Sequence, residues 1–240
     1  MRAIVPLGIA AAVALLLRLL HSAISAASDR PLTEVDHARL GFLLFGLVWV
    51  GSLCFLPVAV TMARTPRRAA GRFALWALGI VLTVPLGWTL ATLFPFVRGG
   101  LCLVAGLAAL CALGRLVSAL SNRALAAGMA AGVLGLVLLG QVFWMNPFVD
   151  RLPGGTADAP GARERFLRVA MHAAPLGALG DAFGAQDVRP FERMNFSYRF
   201  SLLSKVRFEY PSWSTWCLVQ GGAALVLGVA GELVFRVRKR

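Results

Sequence analysis

The chain has 240 residues, of which 58% are hydrophobic and 15% charged, with a mean hydropathy of +0.75. That balance excludes an ordinary water-soluble domain, where roughly 45–50% of residues are apolar and about 25% charged. A formal net charge of +13 would suggest nucleic acid in a soluble protein, but no nucleic-acid partner is expected once the basic residues are read as markers around apolar runs.

A helix rises about 1.5 Å per residue, so about 20 apolar residues cross a hydrocarbon layer of roughly 30 Å. Six runs qualify: residues 3–27, 38–62, 72–97, 100–120, 123–147 and 214–235. In the first, Arg2 and the small-residue segment SAISAAS also fit a cleavable secretory signal, but Arg18 interrupts the apolar stretch and a retained helix is expected. Cys54, Cys102 and Cys111 lie inside apolar runs and Cys217 at the start of another, without a CxxC pair, so they are read as small apolar residues.

Arg2, then Arg64, Arg67, Arg68 and Arg72, then Arg115 and Arg123, then Arg236, Arg238, Lys239 and Arg240 fall at alternate ends of successive runs, which is one face of a membrane. That face holds only Glu232 as acid, whereas the opposite short loops set Arg30, Arg39 and Arg98 against Asp29, Glu34 and Asp36. The basic face is expected in the cytoplasm, together with both termini. Trp144, Trp213 and Trp216 then lie near the outer ends of the fifth and sixth runs and read as interfacial anchors.

The chain thus divides into residues 1–147 with five spans, an extracytoplasmic segment 148–213, and residues 214–240 with the sixth span and a basic tail. In the outer segment, GARERFLRVAMHAA places Ala162, Phe166, Val169, Ala170 and Ala173 on one helical stripe, as in an amphipathic helix lying at a membrane surface. Pro175 ends it, and LGALGDAFG offers a second, shorter apolar helix that can re-enter the bilayer edge where protein covers its backbone. Farther on, NFSYRFSL alternates, with Phe196, Tyr198 and Phe200 on one side, which is the period of an extended segment. These aromatics suit packing on the bundle or contact with an extracytoplasmic protein partner.

Few polar groups fall within the runs. Glu232 is one turn from Arg236, an i,i+4 pair. Gln141, Asn146 and Gln220 are candidates for lining a path or joining helices by hydrogen bonds, and the glycines of the fifth and sixth runs suit close helix contact, including a dimer face. The histidines His21, His37 and His172 do not pair at ligand spacing, the deep cysteines have no histidine at matching depth, and there is no GxxxxGK[ST] loop. No metal, cofactor or enzymatic activity of the chain's own is expected.

The stretches GFLLFGLVWVGSLCFLPVAVTMART, TLFPFVRGG, LCLVAGLAALCALGRLVSALSNRALAAGM and WMNPFVDRL together resemble the membrane subunit of ABC exporters of the type-2 permease class. In that class the fourth helix ends in a short turn, matched here by Ser118, Ser121, Asn122 and Arg123, before a fifth helix rich in small residues. Short outer helices, here AAPLGALGDAFG, then precede a last helix with a basic tail. The loop RTPRRAAGR departs from the class pattern, which has acidic as well as basic residues and a coupling helix at this place.

The resemblance implies an all-α integral membrane protein of six spans in the bacterial cytoplasmic membrane. It implies a path opened between this chain and a second permease copy or subunit, driven by separate cytoplasmic ATPase chains. Their contact would fall on Arg64, Arg67, Arg68 and Arg72, with Arg115 and Arg123 close by. The alternative is a non-transport scaffold or accessory subunit that binds a partner through the outer segment. For the topology, a fluorescent reporter that matures only in the cytoplasm is expected to be bright when fused after Arg240 and dark when fused within residues 148–213; brightness at both sites would overturn the assignment.

Overall fold

A computed structural model describes Leu19, Ala23, Ala26 and Phe148 singly and residues 34–83, 90–141, 151–154, 161–183 and 212–238. Within these residues the protein is helical, without strands. Seven helices follow in order: α1 Glu34–Thr61, α2 Pro66–Thr83, α3 Leu90–Ser121, α4 Ala124–Leu139, α5 Ala162–Ala173, α6 Pro175–Ala182 and α7 Trp213–Arg238. Segments Gly41–Thr61, Phe94–Ser121 and Trp213–Arg238 are long and apolar enough to cross a membrane, and α4 is a shorter apolar helix of 16 residues.

The first run, 3–27, the extended NFSYRFSL stretch and the end of the fifth run lie largely or wholly outside the described residues. Residues 90–97, read from the sequence as the end of the third run, instead open α3, which continues through Pro95, Gly99 and Gly100 for 32 residues, about 48 Å of helix. The glycine pair does not break the helix because both residues are buried against other helices. Phe183 fills the space left by Gly99.

Helix α3 is the central member, packed on α7, α1 and α4. Trp49, Leu53, Leu103 and Leu107 are fully buried at its contact with α1. Trp216 is only 4% exposed and meets Trp49 edge to face, with ring centroids 5.9 Å apart. It is therefore a core residue and not the interfacial anchor its sequence position suggests: it is on the face of α7 that meets α3, which span position alone does not reveal. Gly106 seats this pair, since a Cβ there would come within 2.7 Å of both indoles.

Helix α4 meets α1 around Pro57, which lies inside that helix. Proline has no N–H to give the Leu53 carbonyl four residues earlier, and Gly132 packs at that carbonyl, where a Cβ would lie 2.6 Å from the oxygen. Gly128 is likewise 2.7 Å, by the same measure, from Val58 Cα. The glycine stripe of the fifth run is thus used inside this chain and not as a dimer face. On α7, by contrast, Gly221, Gly222 and Gly228 have no neighbour within 4 Å, and only 6% of the apolar window is buried. Leu218, Leu225, Val226 and Val237 are each about 70% exposed or more, a face suited to hydrocarbon.

Replacing Gly128 by alanine is expected to lower stability in detergent by roughly 1–3 kcal/mol, because the neighbouring atoms are backbone and cannot turn aside. The same change at Gly222 is expected to be neutral or to stabilise by up to about 1 kcal/mol through helix propensity. Thermal unfolding of the two variants side by side checks the difference, and equal behaviour would contradict the α1–α4 packing.

Candidate functional site

The C-terminal ends of α1, α3 and α7 finish together with the starts of α2 and α4, and this end carries the arginines singled out in the sequence. Thr65 caps α2: its Oγ1 accepts the Arg68 backbone N–H at 3.3 Å, its carbonyl accepts from Ala69 at 3.0 Å, and Pro66 holds the first helical position. Arg67 and Arg68 therefore fall in a helical first turn that contains no acid, where the helix dipole disfavours positive charge. Helix stability does not account for them. Arg64, Arg67, Arg68 and Arg72 are all exposed, although Arg72 Nη1 also donates to the Ala59 carbonyl.

At the end of α3, Asn122 adopts a left-handed backbone (φ 59°) and donates its N–H to the Ser118 carbonyl at 2.9 Å, after which Arg123, exposed, leads into α4. Asparagine tolerates that conformation better than most residues. Arg115 does not join the exposed group. It turns between helices and donates from Nη1 to the carbonyls of Val60 (3.3 Å) and Ala63 (3.1 Å), closing off the end of α1. Arg238 does the same for α3, reaching Ala119 O at 2.6 Å and Asn122 Oδ1 at 2.8 Å. Glu232 and Arg236 form the expected i,i+4 pair at 3.0 Å.

The opposite end is built around α6. Ala178, Leu179 and Ala182 are fully buried, and the Phe183 ring enters between Gly41 of α1 and Gly99 of α3, touching Phe45 and Phe96 at centroid distances of 5.6 and 5.3 Å. Asp181 Oδ2 accepts the first N–H of α7, from Trp213, at 2.8 Å, and Arg98 lies over the Trp213 ring at 5.6 Å. Gln141 donates from Nε2 to the Ala170 carbonyl and so ties the end of the α4 segment to α5. Gln220 is half-buried on α7. Phe166 and Val169 of α5 are exposed, Val169 by 71%. Asn146, Phe196, Tyr198 and Phe200 lie outside the described residues.

Two juxtapositions carry no signal in the sequence. Arg238 meets Asn122 across 116 positions, and Cys217 approaches Cys102 across 115, sulfur to sulfur at 3.6 Å. Reading the cysteines singly as small apolar residues misses that α3 and α7 bring two of them together. Mild oxidation by oxygen with copper phenanthroline is expected to join Cys102 and Cys217, each thiol losing a proton and an electron. Peptide mass analysis would find that link in the wild-type protein and not in Cys217→Ser; its absence from the wild type would contradict the α3–α7 register. Compared with protein-family models, curated proteins and solved structures, the chain matches none, so the functional reading rests on this geometry and on the sequence pattern.

Proposed function

We propose that the chain is the permease subunit of an ABC-type export system, working with a second permease copy or subunit and with separate ATPase chains. It would sit in a bacterial cytoplasmic membrane with its basic end in the cytoplasm. The observation that carries this reading is the exposed set Arg64, Arg67, Arg68, Arg72 and Arg123 at the end where three membrane-length helices finish. Arg67 and Arg68 stand against their own helix dipole, which fits side chains kept for an outside acidic surface or for topology. The buried α6, entering the bundle from the segment before the last helix, supports the same reading through its agreement with the class pattern of short re-entrant outer helices.

In such a machine nucleotide binding moves the ATPase chains, and the arginine turn would transmit that movement to α1 and α2. The exposed apolar length of α7 is available to lipid or to the second subunit. A non-transport accessory subunit is the second reading, favoured by the exposure of Phe166 and Val169 on the outer helix α5.

Co-purification from the native membrane separates the two. The transport reading expects an ATPase in the complex and at least a several-fold loss of its stimulation when Arg64, Arg67, Arg68 and Arg72 are replaced together by alanine, with the chain still inserted. A stable complex without any ATPase would sink that reading and leave the accessory role.

A further inference from the structure

We propose that the cavity between the C-terminal ends of α1, α3 and α7 binds the phosphate of an anionic phospholipid headgroup through Arg115 and Arg238. The cavity holds about 320 Å³, is partly open, and is lined by Thr61, Arg115, Ser118, Asn122 and Arg238 among others. That volume lies at the lower end of the range for small-molecule sites, roughly 300–1,000 Å³.

The hydrogen bonds of the two arginines leave the part of each guanidinium that recognises phosphate. A guanidinium has five N–H donors, two of them on Nη1. Arg115 directs Nη1 to the carbonyls of Val60 and Ala63, and Arg238 directs Nη1 to Ala119 O and Asn122 Oδ1. The Nε–H and Nη2 donors of both have no hydrogen bond among the described residues, and these form the edge that grips a phosphate with two parallel bonds. Asn122 is oriented by the same contact: its Oδ1 is taken by Arg238, so its amide nitrogen is left as a donor.

The charge balance at this end favours an anion. Among the described residues the one carboxylate here is Glu232; it pairs with Arg236 at 3.0 Å and its charge also acts on Arg115, so that Arg115, Arg236 and Arg238 face a single acid. Arg115 and Arg238 rest on helix-end carbonyls, which fix them in place without neutralising them, because a carbonyl is a dipole with no net charge.

A lipid is favoured over a free ion by what surrounds the cavity. It opens where three helices of membrane length end, at headgroup depth if they span. The same helix ends present Val117 and Leu120 on α3 and Leu233 and Val237 on α7 to the outside, apolar surface along which acyl chains can run. The site requires only that this end lie at a membrane surface, and it is independent of any transport role.

The test is native mass spectrometry of the delipidated full chain in detergent, titrated with phosphatidylglycerol or with phosphatidylcholine of the same acyl chains. Phosphatidylglycerol is expected to bind preferentially, one per chain. Arg238→Gln and Arg115→Gln are each expected to lower its occupancy at limiting lipid by roughly tenfold, the loss of charge-assisted hydrogen bonds. Arg238 is at the exposed end of α7, so Arg238→Gln keeps the test valid where Arg115→Gln fails to fold; retained helicity and the Cys102–Cys217 cross-link verify the fold. Equal binding of the two lipids, or undiminished phosphatidylglycerol binding by folded Arg238→Gln, would overturn the proposal. Inorganic phosphate in excess is expected to leave the lipid bound; displacement of the lipid by phosphate would assign the cavity to the free ion and overturn the lipid assignment.

Discussion

Close contact between helices through missing side chains is the constraint on which this bundle depends. Hydrocarbon outside a membrane helix is as apolar as the leucines within, so burial alone does not drive such helices together and van der Waals fit must do more of the work. Here the fit is made by placing glycines opposite large rings or opposite backbone. Gly106 receives Trp49 and Trp216, Gly41 and Gly99 receive Phe183, and Gly128 and Gly132 receive the backbone of α1 around Pro57. The indole N–H groups of Trp49 and Trp216 have no acceptor among the described residues, so that pair is held by ring contact and shape.

The two ends of the bundle solve the problem of helix termini by different means. At the basic end the unsatisfied carbonyls of α1 and α3 are met by Arg115 and Arg238, side chains from other helices, which locks three helix ends to one another. At the opposite end a carboxylate, Asp181, meets the start of α7, where the dipole favours negative charge. Because Asp181 belongs to α6, the last long helix is positioned by the segment that precedes it. A motion of α6 relative to α3 would therefore be felt at α7, and the Cys102–Cys217 approach lies at the same level.

The basic end then divides its arginines into two kinds by what they touch. Arg115, half-buried, and Arg238, exposed, are tied by hydrogen bonds to the ends of neighbouring helices, whereas Arg64, Arg67, Arg68 and Arg123 project from the bundle. The first kind shapes a cavity and the second offers charge to the surroundings. In the sequence both kinds look alike, as basic residues flanking apolar runs. This is why Arg115 stands among candidates for a surface contact when only spacing is considered, and why Arg238 reads as one more anchor of the tail.

Composition and spacing by themselves determined that the long apolar runs are helices, that basic residues gather at one end of them, and that two short helices, separated at Pro175, follow Gly161; the structure starts the second at Pro175 itself. Those properties are local: apolar length, period and proline act within a few turns of one helix. The Glu232–Arg236 pair was legible for the same reason. Tertiary structure alone decided that α3 begins before Gly99, that Trp216 is core, that Gly128 and Gly132 face α1, and that Cys102 meets Cys217. Each depends on which face of a nearly uniformly apolar helix turns inward. A helix that is apolar all round carries almost no periodic signal of its own, so that choice is made by the shape of its neighbours.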